Sequence, residues 1–191
     1  PGFLGNRVGV FALQVGIDET LKCNLAIEDA DALFGRPMGI PKTGVFGLYD
    51  LIGIDLMADV VVSLGNILPA DDAFHAVGAA NPAIAAMIEA GFTGDKGKGG
   101  FYCLEGTRRM ARQFAGFDGN DMPPLKPAKT KLPAVAIAAA EAAARQDEPL
   151  FLLLDGHDDQ AKFCRRVLGR ILHYAASLVP SVTTTPQDID D

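Results

Sequence analysis

Apolar positions recur at helical spacing along most of the chain. Between residues 7 and 25, Val8, Phe11, Ala12, Val15 and Gly16 follow the i, i+3, i+4, i+7, i+8 pattern of one helix face. Val10, Leu13, Ile17 and Leu21 fill a second side, so this helix is predicted to be buried over most of its surface. Asn6 precedes it at the place of an N-cap. Residues 27–35, IEDADALFG, predict a short helix with acids in its first turn, where the helix dipole favours them. After the Gly- and Pro-rich connection GRPMGIPKTG, Thr43 is placed to cap a helix in GVFGLYDLIG. A further apolar helix in IDLMADVVVSLGNIL ends near Asn66 and Pro69. NPAIAAMIEAG carries its own start and stop signals: Asn81 as cap, Pro82 at the first position, Gly91 at the end.

The second half reads differently. TGDKGKGGFYCLEG predicts a glycine-rich loop and a short extended piece, and residues 116–133, rich in Pro and Lys, predict a linker that is tethered at most. Residues 134–146 have strong intrinsic helix propensity. Residues 158–179 predict a last long helix with Phe163, Val167, Leu168, Ile171, Leu172 and Ala175 on one face. Alternation of strands with helices is nowhere visible, so the expected class is all-α.

Composition narrows the function. The 191 residues are 49% hydrophobic, enough to bury a core of one domain plus an appendage. A net charge of −7 argues against a nucleic-acid or anionic-membrane binder, which needs clustered Lys and Arg. The apolar runs are interrupted by Asp, Gly and Asn, so no bilayer-spanning segment is predicted. Cys23, Cys103 and Cys164 are odd in number and far apart, which predicts reduced thiols in a cytoplasmic setting.

The chain also carries a faint internal echo. A shift of 159 places lays Arg7, Val8, Leu13, Asp29 and Asp31 on Arg166, Val167, Leu172, Asp188 and Asp190. Two apolar helices each followed by a short acidic segment would produce such a match without common descent. Read as a true repeat, it divides the chain into a helical domain (1–105), a Pro/Lys-containing connector with a helix (106–157) and the start of a truncated second copy (158–191).

Few residues offer chemistry. GDKGKGG is not a P-loop: Gly91 and Gly97 are one place too far apart, and Gly99 stands where Ser or Thr should follow the lysine. It is not a dinucleotide loop either, because Tyr102 replaces the third glycine. A flexible basic turn is the plain reading; the sharper one brings Lys96 or Lys98 to a ligand phosphate. His75, His157 and His173 lack metal spacing, and Asp71–Asp72 and Asp158–Asp159 read as helix starts. Asn6 stands apart, since an amide beside the free N–H groups of a helix start suits an oxygen-bearing substrate as well as a cap.

Three stretches in order resemble one family. PGFLGNR resembles the P-G-F-x-x-N-R segment that opens the helical C-terminal domain of 3-hydroxyacyl-CoA dehydrogenases. GRPMGIPKTGVFGLYDLIGID resembles that family's P-M-G-P-F-x-L-x-D-x-x-G-L-D, with a longer turn at IPKTGVF, and GDKGKGGFY resembles its G-x-K-x-G-K-G-F-Y. The remainder is similar, more loosely, to multifunctional β-oxidation proteins, in which a degenerate second copy of the domain follows the first. The resemblance implies that Asn6 helps hold the substrate's 3-oxygen and that the helices behind it line an apolar groove for the acyl chain. It places the catalytic His and Glu, and the Rossmann domain that binds NAD, before Pro1; no cofactor is expected on these 191 residues and no dehydrogenase activity from them alone. The opening PGFLGN then reads as the joint between the two domains of a longer protein.

The expectation is therefore the substrate-binding and dimerisation domain of an NAD-dependent dehydrogenase that converts L-3-hydroxyacyl-CoA to 3-oxoacyl-CoA. It would meet an acyl-CoA through the full-length protein and form a homodimer. The alternatives are the helical domain of another β-hydroxyacid-type dehydrogenase, and an assembly module without chemistry.

Overall fold

The computed structural model describes residues 4–40, 42–114, 122–179, 181–183 and 185. Pro1–Phe3, the first part of the 116–133 linker and the echo positions Asp188 and Asp190 lie outside them. Eight α-helices are described: α1 (Leu4–Lys22), α2 (Ile27–Leu33), α3 (Phe46–Ile52), α4 (Ile54–Ile67), α5 (Pro82–Glu89), α6 (Ala134–Ala144), α7 (Pro149–Leu154) and α8 (Asp159–Ser177). Single 3₁₀ turns at Arg36–Met38 and Ala73–Ala76 join some of them.

The class is mostly helical rather than all-α. Strands β1 (Tyr102–Glu105), β2 (Arg108–Arg112) and β3 (Leu125–Pro127) form an antiparallel sheet in the order β1-β2-β3. Gly106 turns the β1–β2 hairpin, pairing Glu105 with Arg108 and Tyr102 with Ala111. β3 pairs Met110 with Pro127 and Arg112 with Leu125, so the later part of the expected linker is a sheet edge. The hairpin crosses positions 105 and 106, where the sequence reading divides domain from connector.

α1 is buried over much of its surface, although Leu21, expected on its second side, is exposed, and its cover is α8. Phe11 stacks on Tyr174 with ring centroids 3.9 Å apart. Near the other end of α1, Glu19 meets Arg166 and Arg170, so the two helices run antiparallel. On α8 the buried line is Ala161, Phe163, Cys164, Val167 and Tyr174; Leu172, expected on that face, is exposed. α4 buries Ile54, Met57, Val61 and Leu64, and turns Leu56, Val62 and Ile67 outward. Gly53, at φ +118, is the single residue between the end of α3 and the start of α4, in a conformation that a side chain would strain.

Helix starts follow the sequence at Asn81, at Asp158 and at Asp72, which accepts from Phe74 N at 2.8 Å to cap the second 3₁₀ turn, and depart from it in two cases. Asn81 accepts from the amides of Ala83 and Ile84, and Asp158 from that of Ala161. Thr43 does not cap α3. Asp31, on α2, does: Oδ1 accepts from Phe46 N at 2.8 Å and Oδ2 from Gly47 N at 3.0 Å. Asn6 does not precede α1 but is its third residue, so it is not the N-cap. α7, PLFLLL, was not foreseen, because six residues apolar on every side carry no readable period.

Candidate functional site

A groove of about 440 Å³ lies between α1 and the α3–α4 pair. Val10, Leu13, Phe34, Leu48, Met57 and Val60 supply apolar wall. On the α1 side, Gly5, Asn6 and Gly9 also line it. A Cβ placed on Gly5 or Gly9 would meet nothing within 4 Å, so the missing side chains leave open space there. Asn6 brings an exposed amide to a lining that is otherwise almost wholly apolar. Arg7, the next residue, turns inward; its Nε donates to Tyr174 Oη at 2.9 Å, and its guanidinium pairs with Asp72. Asp72 also accepts from Tyr174 Oη at 3.0 Å. This buried triad ties the first turn of α1 to the segment before the second 3₁₀ turn and to α8.

The glycine-rich loop has a different role. Asp50, at the end of the FGLYD stretch, accepts from Phe101 N through Oδ1 and from Tyr102 N through Oδ2, both at 2.8 Å. Gly100 is required there, because a Cβ would overlap the Asp50 carboxylate. Phe101 then packs edge-on to Phe46 at 4.9 Å, and Tyr102 Oη donates to Asp31 Oδ2 at 2.8 Å. Burial pushes the Asp50 carboxyl up to about 7 and that of Asp31 up to about 6, against the opposing pull of their hydrogen bonds.

Five amides of the loop are already bonded within the protein. Gly94, Asp95, Gly97, Lys98 and Gly100 donate to Gly99, Asp50, Gly94, Gly91 and Tyr102 carbonyls respectively. The turn is thus pinned rather than flexible, and it does not fit a dinucleotide, whose phosphates need such amides free. Lys98 Nζ donates to Ala90 O at 3.2 Å, near the end of α5. His75 Nε2 lies 2.9 Å from Pro69 O. Among the described residues no group of three His, Cys, Asp or Glu could hold a metal ion, and no helix is long and apolar enough to cross a membrane.

The model of one family, described as 3-hydroxyacyl-CoA dehydrogenase, C-terminal domain, matches residues 2–103. The chain belongs to this family. A protein of Rickettsia prowazekii named as a fatty acid oxidation complex trifunctional enzyme is 32% identical over the whole chain, which spans 24% of that relative. Its Rickettsia felis counterpart is 35% identical over the same spans. A Bacillus subtilis protein named as a 3-hydroxyacyl-CoA dehydrogenase is 25% identical over the whole chain and 23% of its own length. The chain therefore spans about a quarter of the curated relatives it matches. No solved structure matches it.

Within a 3-hydroxyacyl-CoA dehydrogenase C-terminal domain, the three resembling stretches divide into two tasks. The first, with Asn6 and Arg7, faces the groove and anchors α1. The other two meet each other: Asp50 of FGLYD grips Phe101–Tyr102 of GGFY, a structural latch. Sequence reasoning could not have assigned that grip, since its partners are 51 residues apart. The groove, whose wall is assembled from α1, α3, α4 and the loop carrying Ile40, has no signal in the periodicity of the residues; only the family resemblance implies it.

Proposed function

We propose that this chain is the substrate-holding and self-association domain of an NAD-dependent 3-hydroxyacyl-CoA dehydrogenase acting in fatty-acid β-oxidation. The observation that carries the reading is Asn6 on an apolar groove that is open along α1. In the parent, the groove takes the acyl chain and the Asn6 amide donates to the 3-oxygen. Oxidation of the alcohol, or its reverse, changes the charge on that oxygen, and a preorganised donor stabilises the charged form. In this reading NAD is held by another part of the full-length parent, and this chain's part is to bind and orient the substrate. The antiparallel α1–α8 pair supports reading α8 as the start of a second, degenerate copy of α1, with both helices 19 residues long.

Replacing Asn6 in the full-length parent tests the assignment. Asn6→Asp cannot donate to the substrate oxygen, yet an acid in the first turn suits the helix. It should lower kcat by ~10²-fold or more, as loss of one such donor does elsewhere, with unfolding stability unchanged. Near-normal kcat in a folded Asn6→Asp protein would remove Asn6 from the chemistry.

With α1 covered by α8, exposed apolar surface remains on α3–α4 at Leu51, Leu56, Val62 and Ile67. This is the face proposed for pairing with a second copy, since apolar surface of this kind marks interfaces. Light scattering should give the mass of two chains, and the mass of one at high concentration would refute it.

A further inference from the structure

A second cavity differs from the groove in chemistry. It lies where the Lys42–Thr43 segment, the glycine loop and the β1–β2 hairpin come together. Its larger compartment, about 500 Å³, is lined by Lys42, Thr43, Lys98, Tyr102 and Arg109, with Asp50 and Asp95. A smaller one, about 190 Å³, shares Lys42, Thr43, Tyr102 and Arg109 and adds Glu28, Asp31 and Lys129.

Three features of this cleft point to a ligand. The first is its cations. In a chain of net charge −7, Lys42, Lys98 and Arg109 line the larger compartment, and among the described residues no ion pair joins any of them to an acid, although Lys98 Nζ also donates to Ala90 O. Arg109 is held in place, its guanidinium 4.2 Å from the centroid of the Tyr102 ring, while the Tyr102 hydroxyl is fixed by Asp31.

The second is that the nearest acids are already engaged. Both oxygens of Asp50 accept backbone amides, and both oxygens of Asp31 accept amides or the Tyr102 hydroxyl. Of the lining acids of the larger compartment, only the exposed Asp95 has a carboxylate without such bonds among the described residues.

The third is a pair of orphaned polar atoms. Thr43 Oγ1 and Glu28 Oε2 are buried and have no hydrogen-bond partner, although Glu28 Oε1 accepts from Lys129 N at 2.7 Å. Glu28 is only 6% exposed. Buried polar groups are satisfied as a rule, and two orphans on residues that line one cleft call for a partner that brings donors.

From these we infer that the cleft binds a phosphate monoester carrying free hydroxyl groups, as in a sugar phosphate or the ribose phosphate of a nucleotide. The phosphate sits among Lys42, Lys98 and Arg109, where charge-assisted bonds are strongest. A hydroxyl of the same molecule donates to Glu28 Oε2, and Thr43 Oγ1 bonds between the two compartments. A bare phosphate would satisfy the cations and leave Glu28 orphaned, so the cleft should tell the two apart.

Calorimetry of the chain at low salt with inorganic phosphate, ribose 5-phosphate and AMP tests this. Either ester should bind at least 10-fold more tightly than inorganic phosphate, and the tighter of the two identifies the source as free sugar or nucleotide. The Lys42→Ala, Arg109→Ala double variant should weaken the better ester 10-fold or more. Glu28→Gln keeps the side-chain volume and should erase part of the preference for the ester while leaving inorganic phosphate unchanged. Thr43→Val gives an independent reading should the Glu28 variant not fold, and should weaken the ester alone. Absence of heat with all three ligands at millimolar concentration, equal affinity for all three, or ester binding indifferent to the double variant would overturn the inference.

Discussion

Removing the Asp50 carboxylate should be among the costliest single changes in the chain. Asp50 is 3% exposed, and each of its oxygens takes one amide, from Phe101 or Tyr102. Asp50→Ala orphans two buried N–H groups at ~1–3 kcal/mol each. Against this stands the relief of no longer burying a carboxyl whose ionisation is already disfavoured. The net loss should be about 2–4 kcal/mol, which in a domain of this size lowers Tm by roughly 4–16 °C. Urea unfolding followed by circular dichroism measures it, and a loss under about 1 kcal/mol would refute the latch. The pH dependence gives a second check. Asp50 ionises near 7 in the native chain but near the ordinary ~3.9 when unfolded. Between those values the native state holds more protons, so this contribution is complete at low pH and is lost as pH rises through 7. Asp31, pushed up to about 6, acts with the same sign. Asp50→Asn should therefore flatten the fall in stability between pH 5 and 7, and an unchanged slope would count against the reasoning.

Two further outcomes follow from α1. Gly9→Ala should stabilise the chain by ~0.5–1 kcal/mol, because a Cβ there meets nothing and glycine is costly inside a helix; Gly9→Leu should fill the groove, and kcat/KM of the parent measured across acyl chain lengths should fall most for the long ones. Glu19 is fully buried against Arg166 and Arg170, so the Arg166→Ala, Arg170→Ala double variant should lose about 3–5 kcal/mol in urea unfolding. Burial would raise the Glu19 and Asp18 carboxyls, but their arginine and lysine hydrogen bonds outweigh it and hold both low. That contribution is present above about pH 4 and disappears as pH falls through the lowered values, so an acid limb as steep in the double variant as in the parent chain would contradict the ion cluster.

The helices were legible where local signals sufficed. The α1 pattern, the Asn81–Pro82 start of α5 and the Asp158 start of α8 are written in neighbouring residues, and the structure uses them as written. The sheet was not legible, because its strands are three to five residues long and lack alternation; β2 reads exposed, exposed, buried, buried, buried. Thr43 looked like a cap, but the acceptor comes from Asp31, on a different helix. Leu172 looked like core, but α8 turns its buried line toward Val167 and Tyr174. Asn6 as the polar point of an apolar groove was legible only through the family resemblance, since the local pattern does not say which side of α1 faces Leu48 and Val60.

The antiparallel seat of α8 on α1 sets the order in which the chain can complete itself on the ribosome. α1 is made before α8, and more than a hundred residues separate Lys22 from Asp159. Arg166 follows Glu19 by 147 residues and Tyr174 lies further on, so at ~5–20 residues per second roughly 7–33 s pass before the counter-ions for Glu19 and the cover for Phe11 exist. Through that interval α1 must wait with an apolar face uncovered and the acid Glu19 inside it. A nascent chain of this kind is a natural client for a holdase. The same timing warns against expressing residues 2–103 alone, since such a product would carry the interval for its whole life.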